Sequence, residues 1–169
     1  TLTSGALIVG NKTLTLMGAP ISIASGSITT DSTSNISFGG NNAGPFVIPA
    51  SVNSLNNLTI SNTNINPVTV NALGSLTIKG TLNYSNDNGN IISLAGSITG
   101  DSGIHIGSGK IRMTGSSKNI YAKKVGNIEV TSSSSISNFA ATVYGTLTMN
   151  GGNVTINSPN ILTMGNGST

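Results

Sequence analysis

Apolar residues occupy every second position in a series of short runs: Leu14-Thr15-Leu16, Ile21-Ser22-Ile23, Ile36-Ser37-Phe38, Leu58-Thr59-Ile60, Val68-Thr69-Val70, Leu76-Thr77-Ile78, Ile104-His105-Ile106, Ile128-Glu129-Val130, Leu147-Thr148-Met149 and Val154-Thr155-Ile156. Successive side chains of a strand point to opposite faces, so each run predicts a short strand with two apolar residues on one face and one polar residue on the other. Gly, Asn and Ser clusters separate the runs, among them Gly39-Gly40-Asn41-Asn42, Asn86-Asp87-Asn88-Gly89 and Asn150-Gly151-Gly152-Asn153. Such residues supply the backbone conformations of tight turns. No longer window carries a helical period, so the chain reads as all-β with no helix.

A three-residue strand cannot hold a sheet by itself. Coiling solves this by placing each strand above its counterpart, which buries the apolar pair and joins the backbones of successive coils. The expected fold is a right-handed parallel β-solenoid (β-helix) of about eight rungs of roughly 20 residues, stacked at about 4.8 Å. Asn and Ser at matching turns are expected to form ladders along the axis. Ser25-Gly26-Ser27-Ile28-Thr29 matches Ala95-Gly96-Ser97-Ile98-Thr99, and Asn90-Ile91-Ile92-Ser93-Leu94 matches Asn160-Ile161-Leu162-Thr163-Met164. Leu58-Thr59-Ile60 maps onto Ile128-Glu129-Val130 at the same offset. The chain therefore reads as one continuous solenoid over 1–169 with an internal duplication, about 21–90 and 91–160.

Composition narrows the function. Only 7% of residues are charged and 4% aromatic, but the regular Ile, Leu and Val pattern separates the chain from disordered polar sequences. Cysteine is absent, which excludes disulfides and thiolate chemistry. The net charge of +3 rests on seven cations, with Lys110, Arg112, Lys118, Lys123 and Lys124 close together. A nucleic-acid surface needs more Arg and interleaved aromatics, so nucleic acid is not an expected partner. No apolar run is long enough to span a membrane as a helix, and no basic-then-apolar signal segment opens the chain.

Polysaccharide lyases and hydrolases built on β-helices need clustered carboxylates with a base, or an Arg beside calcium. Here the acids are Asp31, Asp87, Asp101 and Glu129. Asp31 and Asp101 follow Ile-Thr strands at matching repeat positions, where an Asp caps its own turn. Glu129 and His105 each lie between apolar neighbours and are expected to point outward, Glu129 towards Lys123 or Lys124. The glycine-rich Asp nonapeptide of calcium β-rolls is missing. No catalytic, cofactor-binding or metal residue is assigned, and no cofactor is expected. Phe38 and Phe46 are expected in the core or at the bend near Pro45 and Pro49.

The run Gly5-Ala6-Leu7-Ile8-Val9-Gly10-Asn11-Lys12-Thr13-Leu14-Thr15-Leu16, then Ser54-Leu55-Asn56-Asn57-Leu58-Thr59-Ile60 and Gly74-Ser75-Leu76-Thr77-Ile78-Lys79-Gly80-Thr81-Leu82, resembles repeats in very large secreted surface proteins of Bacteroidetes bacteria. Those proteins are often adhesin-like and leave the cell by a dedicated outer-membrane route. The resemblance implies a secreted or cell-surface address and leaves the ligand open; the basic stretch 110–124 is its least typical part. Neither end of the sequence shows a polar cap, and the last residues read on into the first as uninterrupted solenoid. The expectation is a non-enzymatic structural or adhesive segment that continues into flanking solenoid repeats or stacks head to tail with itself, with surface polysaccharide as a further candidate partner. Two alternatives stand beside it: an ice-binding solenoid displaying Thr1/Thr3, Thr13/Thr15 and Thr146/Thr148, and a polysaccharide-active β-helix enzyme.

Overall fold

A computed structural model describes residues 1–18, 23–84, 89–100, 104–106 and 108–165, with 104–106 described by backbone alone. Ile21, Ser22, Asp87 and Asp101 lie outside the described residues, as does the side chain of His105. The described residues form strands and no helix, and every named strand pairs in parallel. The chain is a β-solenoid of about seven turns.

Three sheets run along the stack. The first contains β2 (Thr13–Leu16), β4 (Asn35–Phe38), β7 (Asn57–Ile60), β10 (Thr81–Tyr84) and β13 (Ile104–Ile106). The second contains β5 (Phe46–Ile48), β8 (Thr69–Ala72), β11 (Ile91–Leu94), β14 (Lys110–Met113), β16 (Asn127–Thr131) and β18 (Leu147–Asn150). The third contains β6 (Ser54–Leu55), β9 (Leu76–Ile78), β12 (Ile98–Gly100), β15 (Lys118–Val125), β17 (Ser135–Val143) and β19 (Asn153–Val154), with β20 (Leu162–Met164) on the far half of β17. β1 (Ala6–Ile8) and β3 (Ser27–Thr29) pair separately at the start of the stack.

Coil length changes along the axis. The early coils are long, with Asn35 stacked on Asn57 and Leu58 on Leu82. The later ones are shorter, with Lys110 stacked on Asn127 and Ile128 on Leu147. The shortening has a visible cause. Among the described residues no separate strand follows β13 in the first sheet; β15 and β17 run on around the corner, and β15 also contacts β13. A register shift between Tyr121 and Lys124 marks the bend. The longer early coils also explain why there are about seven turns and not the expected eight. Leu58–Ile60 sits in the first sheet and Ile128–Val130 in the second, while Ile91–Leu94 sits in the second and Leu162–Met164 on β17. These sequence matches thus join strands on different faces.

The interior is a set of apolar columns. Leu14, Ile36, Leu58 and Leu82 stack in one, and Leu16, Phe38, Ile60 and Tyr84 in its neighbour. On the second sheet Phe46, Val70, Ile92, Ile111, Ile128 and Leu147 form the corresponding column. Phe38 and Phe46 are both in the core, their ring centroids 5.3 Å apart, which bridges the corner between the first two sheets. The Tyr84 ring is fully buried and its hydroxyl donates to the Lys110 carbonyl at 3.0 Å, so burial holds its phenol well above the ordinary range.

Polar turns are tied by amides. Asn57 donates to Asn35 Oδ1 at 2.8 Å and accepts from the Thr81 amide at 2.9 Å, linking three coils. Buried Asn62 donates to the carbonyls of Gly39 and Asn42 and accepts from the Asn64 amide. Near the other end Asn138 donates to Asn119 and accepts from Asn157 and Asn160. One corner requires glycine for space: a Cβ on Gly96 would meet the Gly74 carbonyl carbon at 2.4 Å and the Ser75 nitrogen at 2.2 Å.

Candidate functional site

The polar features with most chemistry lie in the later coils, where cations replace Ser and Thr on the outer faces. In the parallel register Arg112 faces Glu129 and Lys110 faces Asn127. Glu129 lies outward between buried Ile128 and Val130, yet it is itself only 6% exposed. Lys110 Nζ approaches Glu129 Oε2 at 2.7 Å, Arg112 Nε donates to the same oxygen at 3.0 Å, and Asn150 Nδ2 donates to Oε1 at 3.2 Å. The Lys110 contact, then Arg112 and Asn150, hold the Glu129 carboxyl down at about 2 against the opposing effect of burial. A surface groove beside the cluster is lined by Gly89, Ser108, Lys110, Asn127, Thr146 and Thr148.

This arrangement corrects the expected pairing of Glu129 with Lys123 or Lys124. Those lysines follow the bend in β15 and are both exposed. Lys124 Nζ lies 5.3 Å from the centre of the Tyr144 ring, within cation–π range. Tyr144 is 46% exposed and Tyr121, at the start of the bend, 36%. Among the described residues the ion pairs are those of Lys110 and Arg112 with Glu129, and no carboxylate reaches Lys118, Lys123 or Lys124.

Asp31 does cap its turn. Its Oδ1 accepts from the Thr33 amide at 2.7 Å and the Thr33 hydroxyl at 2.6 Å, and these bonds lower the carboxyl below its ordinary value. Among the described residues no three His, Cys, Asp or Glu side chains gather where a metal ion could sit, and no helix is long and apolar enough to cross a membrane. Thr13 and Thr15 lie on β2 in the first sheet, whereas Thr148 lies on β18 in the second. Above Thr15 the outward column continues as Ser37, Thr59 and Asn83, a mixed polar surface and not a threonine lattice.

The end coils form the other distinctive surface. Leu7 occupies the register position of Ile28, yet Leu7 is 39% exposed and Ile28 2%. Met149 and Met164 stack on fully buried Val130 and Val143 and are themselves 47% and 46% exposed. Sequence reasoning supplied the cations and the acid but not their contacts, because a parallel stack makes neighbours of residues one coil apart. Searches of family models, characterised proteins and solved structures find no match to this chain.

Proposed function

We propose that this chain is a non-enzymatic structural and adhesive segment of a bacterial surface protein, a rod whose end coils stack on like coils. The observation that carries this reading is that the core register runs on into both end coils: Leu7 pairs in parallel with buried Ile28, and Met149 and Met164 stack on buried Val130 and Val143, the same geometry by which each coil joins the next. Among the described residues β2 and β18 are the outermost strands of their parallel ladders, at opposite ends of the stack. Two such edges of the same polarity fit each other head to tail, a contact that propagates and does not close. Flanking solenoid repeats and further copies of the chain are equivalent partners for these edges. The resemblance to secreted Bacteroidetes repeats supports the extracellular address.

Sedimentation velocity and negative-stain microscopy test the stacking. The expected result is concentration-dependent growth of rods of constant width. Leu7→Lys and Met164→Lys, each placing a charge on an end coil, are expected to stop growth while leaving the β-sheet circular dichroism unchanged. A chain that stays monomeric with a native spectrum at every concentration overturns the reading.

A further inference from the structure

The bend in β15 gathers two cations and exposed aromatic surface at one corner of a chain that is poor in both. Along a regular strand, Lys123 and Lys124 would face opposite sides; the register shift between Tyr121 and Lys124 breaks the alternation and leaves both exposed. Tyr144 follows the neighbouring β17 and lies under the Lys124 ammonium. Tyr121, on the outer side of the third sheet between Thr99 and Ala140, extends the aromatic surface. The Glu129 carboxylate is already engaged by Lys110 and Arg112, so it does not neutralise this corner.

We infer that the corner formed by Tyr121, Lys123, Lys124 and Tyr144 binds carboxylated polysaccharide, the polyuronate class. The exposed Tyr121 ring suits the apolar C–H face of a pyranose, and the ammonium groups of Lys123 and Lys124, the latter seated over the Tyr144 ring, suit the sugar's carboxylate. A polyuronate repeats one carboxylate and one apolar ring face per sugar, which lysines beside a tyrosine match, whereas duplex nucleic acid packs its phosphates more densely and its recognition uses more cations. The inference rests on the adhesive part of the proposed function and names the class of surface it would hold.

Affinity electrophoresis of the intact chain in gels containing polygalacturonate tests it, with dextran and a single-stranded DNA oligonucleotide as comparison ligands. Polygalacturonate is expected to retard the protein, dextran not to, and DNA to do so more weakly. Lys123→Ala/Lys124→Ala should weaken retardation on the order of ten-fold, Tyr144→Ala should weaken it with no change in charge, and Lys123→Arg/Lys124→Arg should restore it. Lys12→Ala/Lys79→Ala removes the same charge from the early coils and should leave binding in place. The site is overturned if polygalacturonate causes no retardation, if the Lys12/Lys79 variant loses as much as the Lys123/Lys124 variant, or if DNA binds as tightly. Sedimentation of the same variants separates the two ideas: loss of glycan binding with rod growth intact removes only this site, and glycan binding without growth removes only the stacking.

Discussion

Glu129 shows how the solenoid controls the chemistry of one residue. The position is outward on β16, but cations from the coil below and an amide from the coil above close over the carboxylate. Its folded value of about 2 lies below the ordinary 4.5, so its stabilising contribution is complete above about pH 4.5 and is lost as pH falls towards 2. Glu129→Gln is expected to cost about 1–3 kcal/mol at pH 7 and to flatten the pH dependence of stability across that window. Urea titrations of both proteins at pH 7 and pH 3 measure this, and equal pH slopes would contradict it. Asn62 offers a neutral counterpart: fully buried, with both ends of its amide bonded to backbone. Asn62→Ala should lose about 1–3 kcal/mol, whereas Asn66→Ala, exposed on the same loop, should change stability by less than about 0.5 kcal/mol in the same assay.

At the level of elements, alternation made the strands with small outward residues legible. Leu58-Thr59-Ile60 and Leu76-Thr77-Ile78 both lie in strands as the pattern indicates. Phe46–Ile48 escaped because three apolar residues in a row carry no alternation, and β15 escaped because its bend places Lys123 beside Lys124. Lys110–Met113 does alternate, with long cations at the polar positions, so its strand signal is present in the sequence. The contacts of Glu129 were not legible at all: they depend on the short coil that sets Arg112 against Glu129, and the sequence does not announce that this coil is shorter than the one joining Leu58 to Leu82. Corners are specified by space as well as by turn conformation. Ala50 packs against the position of Gly74, and Gly74 against that of Gly96, so successive backbones approach too closely for a side chain at Gly96. Gly96→Ala has to move the backbone of 74–75 and is expected to cost about 2–4 kcal/mol by urea denaturation, with no positive φ involved.

For the molecule as a whole, the repeating unit is a coil, and each coil is bonded to the coils above and below it. Stability should then depend on intact register more than on chain length. Thr69 stacks on Ile91 and the Ile91 amide donates to the Val68 carbonyl, so removing 69–90 joins Val68 to a residue that already stands directly above its successor. After that deletion Ile92 takes the place of Val70 above Phe46, and β13 takes the place of β10 above β7. The second-sheet column is shortened by one member and stays apolar, and in the first sheet the register sets His105 at the former position of Leu82. Removing 69–79, about half a coil, instead places the first-sheet sequence of β10 where the second-sheet strand β8 stood, and turns later apolar columns out of the core. The full-coil deletion is expected to keep the β-sheet spectrum per residue and a cooperative urea transition, with a smaller m-value because less surface is buried. The half-coil deletion is expected to lose the cooperative transition and expose apolar surface to a hydrophobic dye. Equal behaviour of the two deletions would mean that this fold is not held together coil by coil.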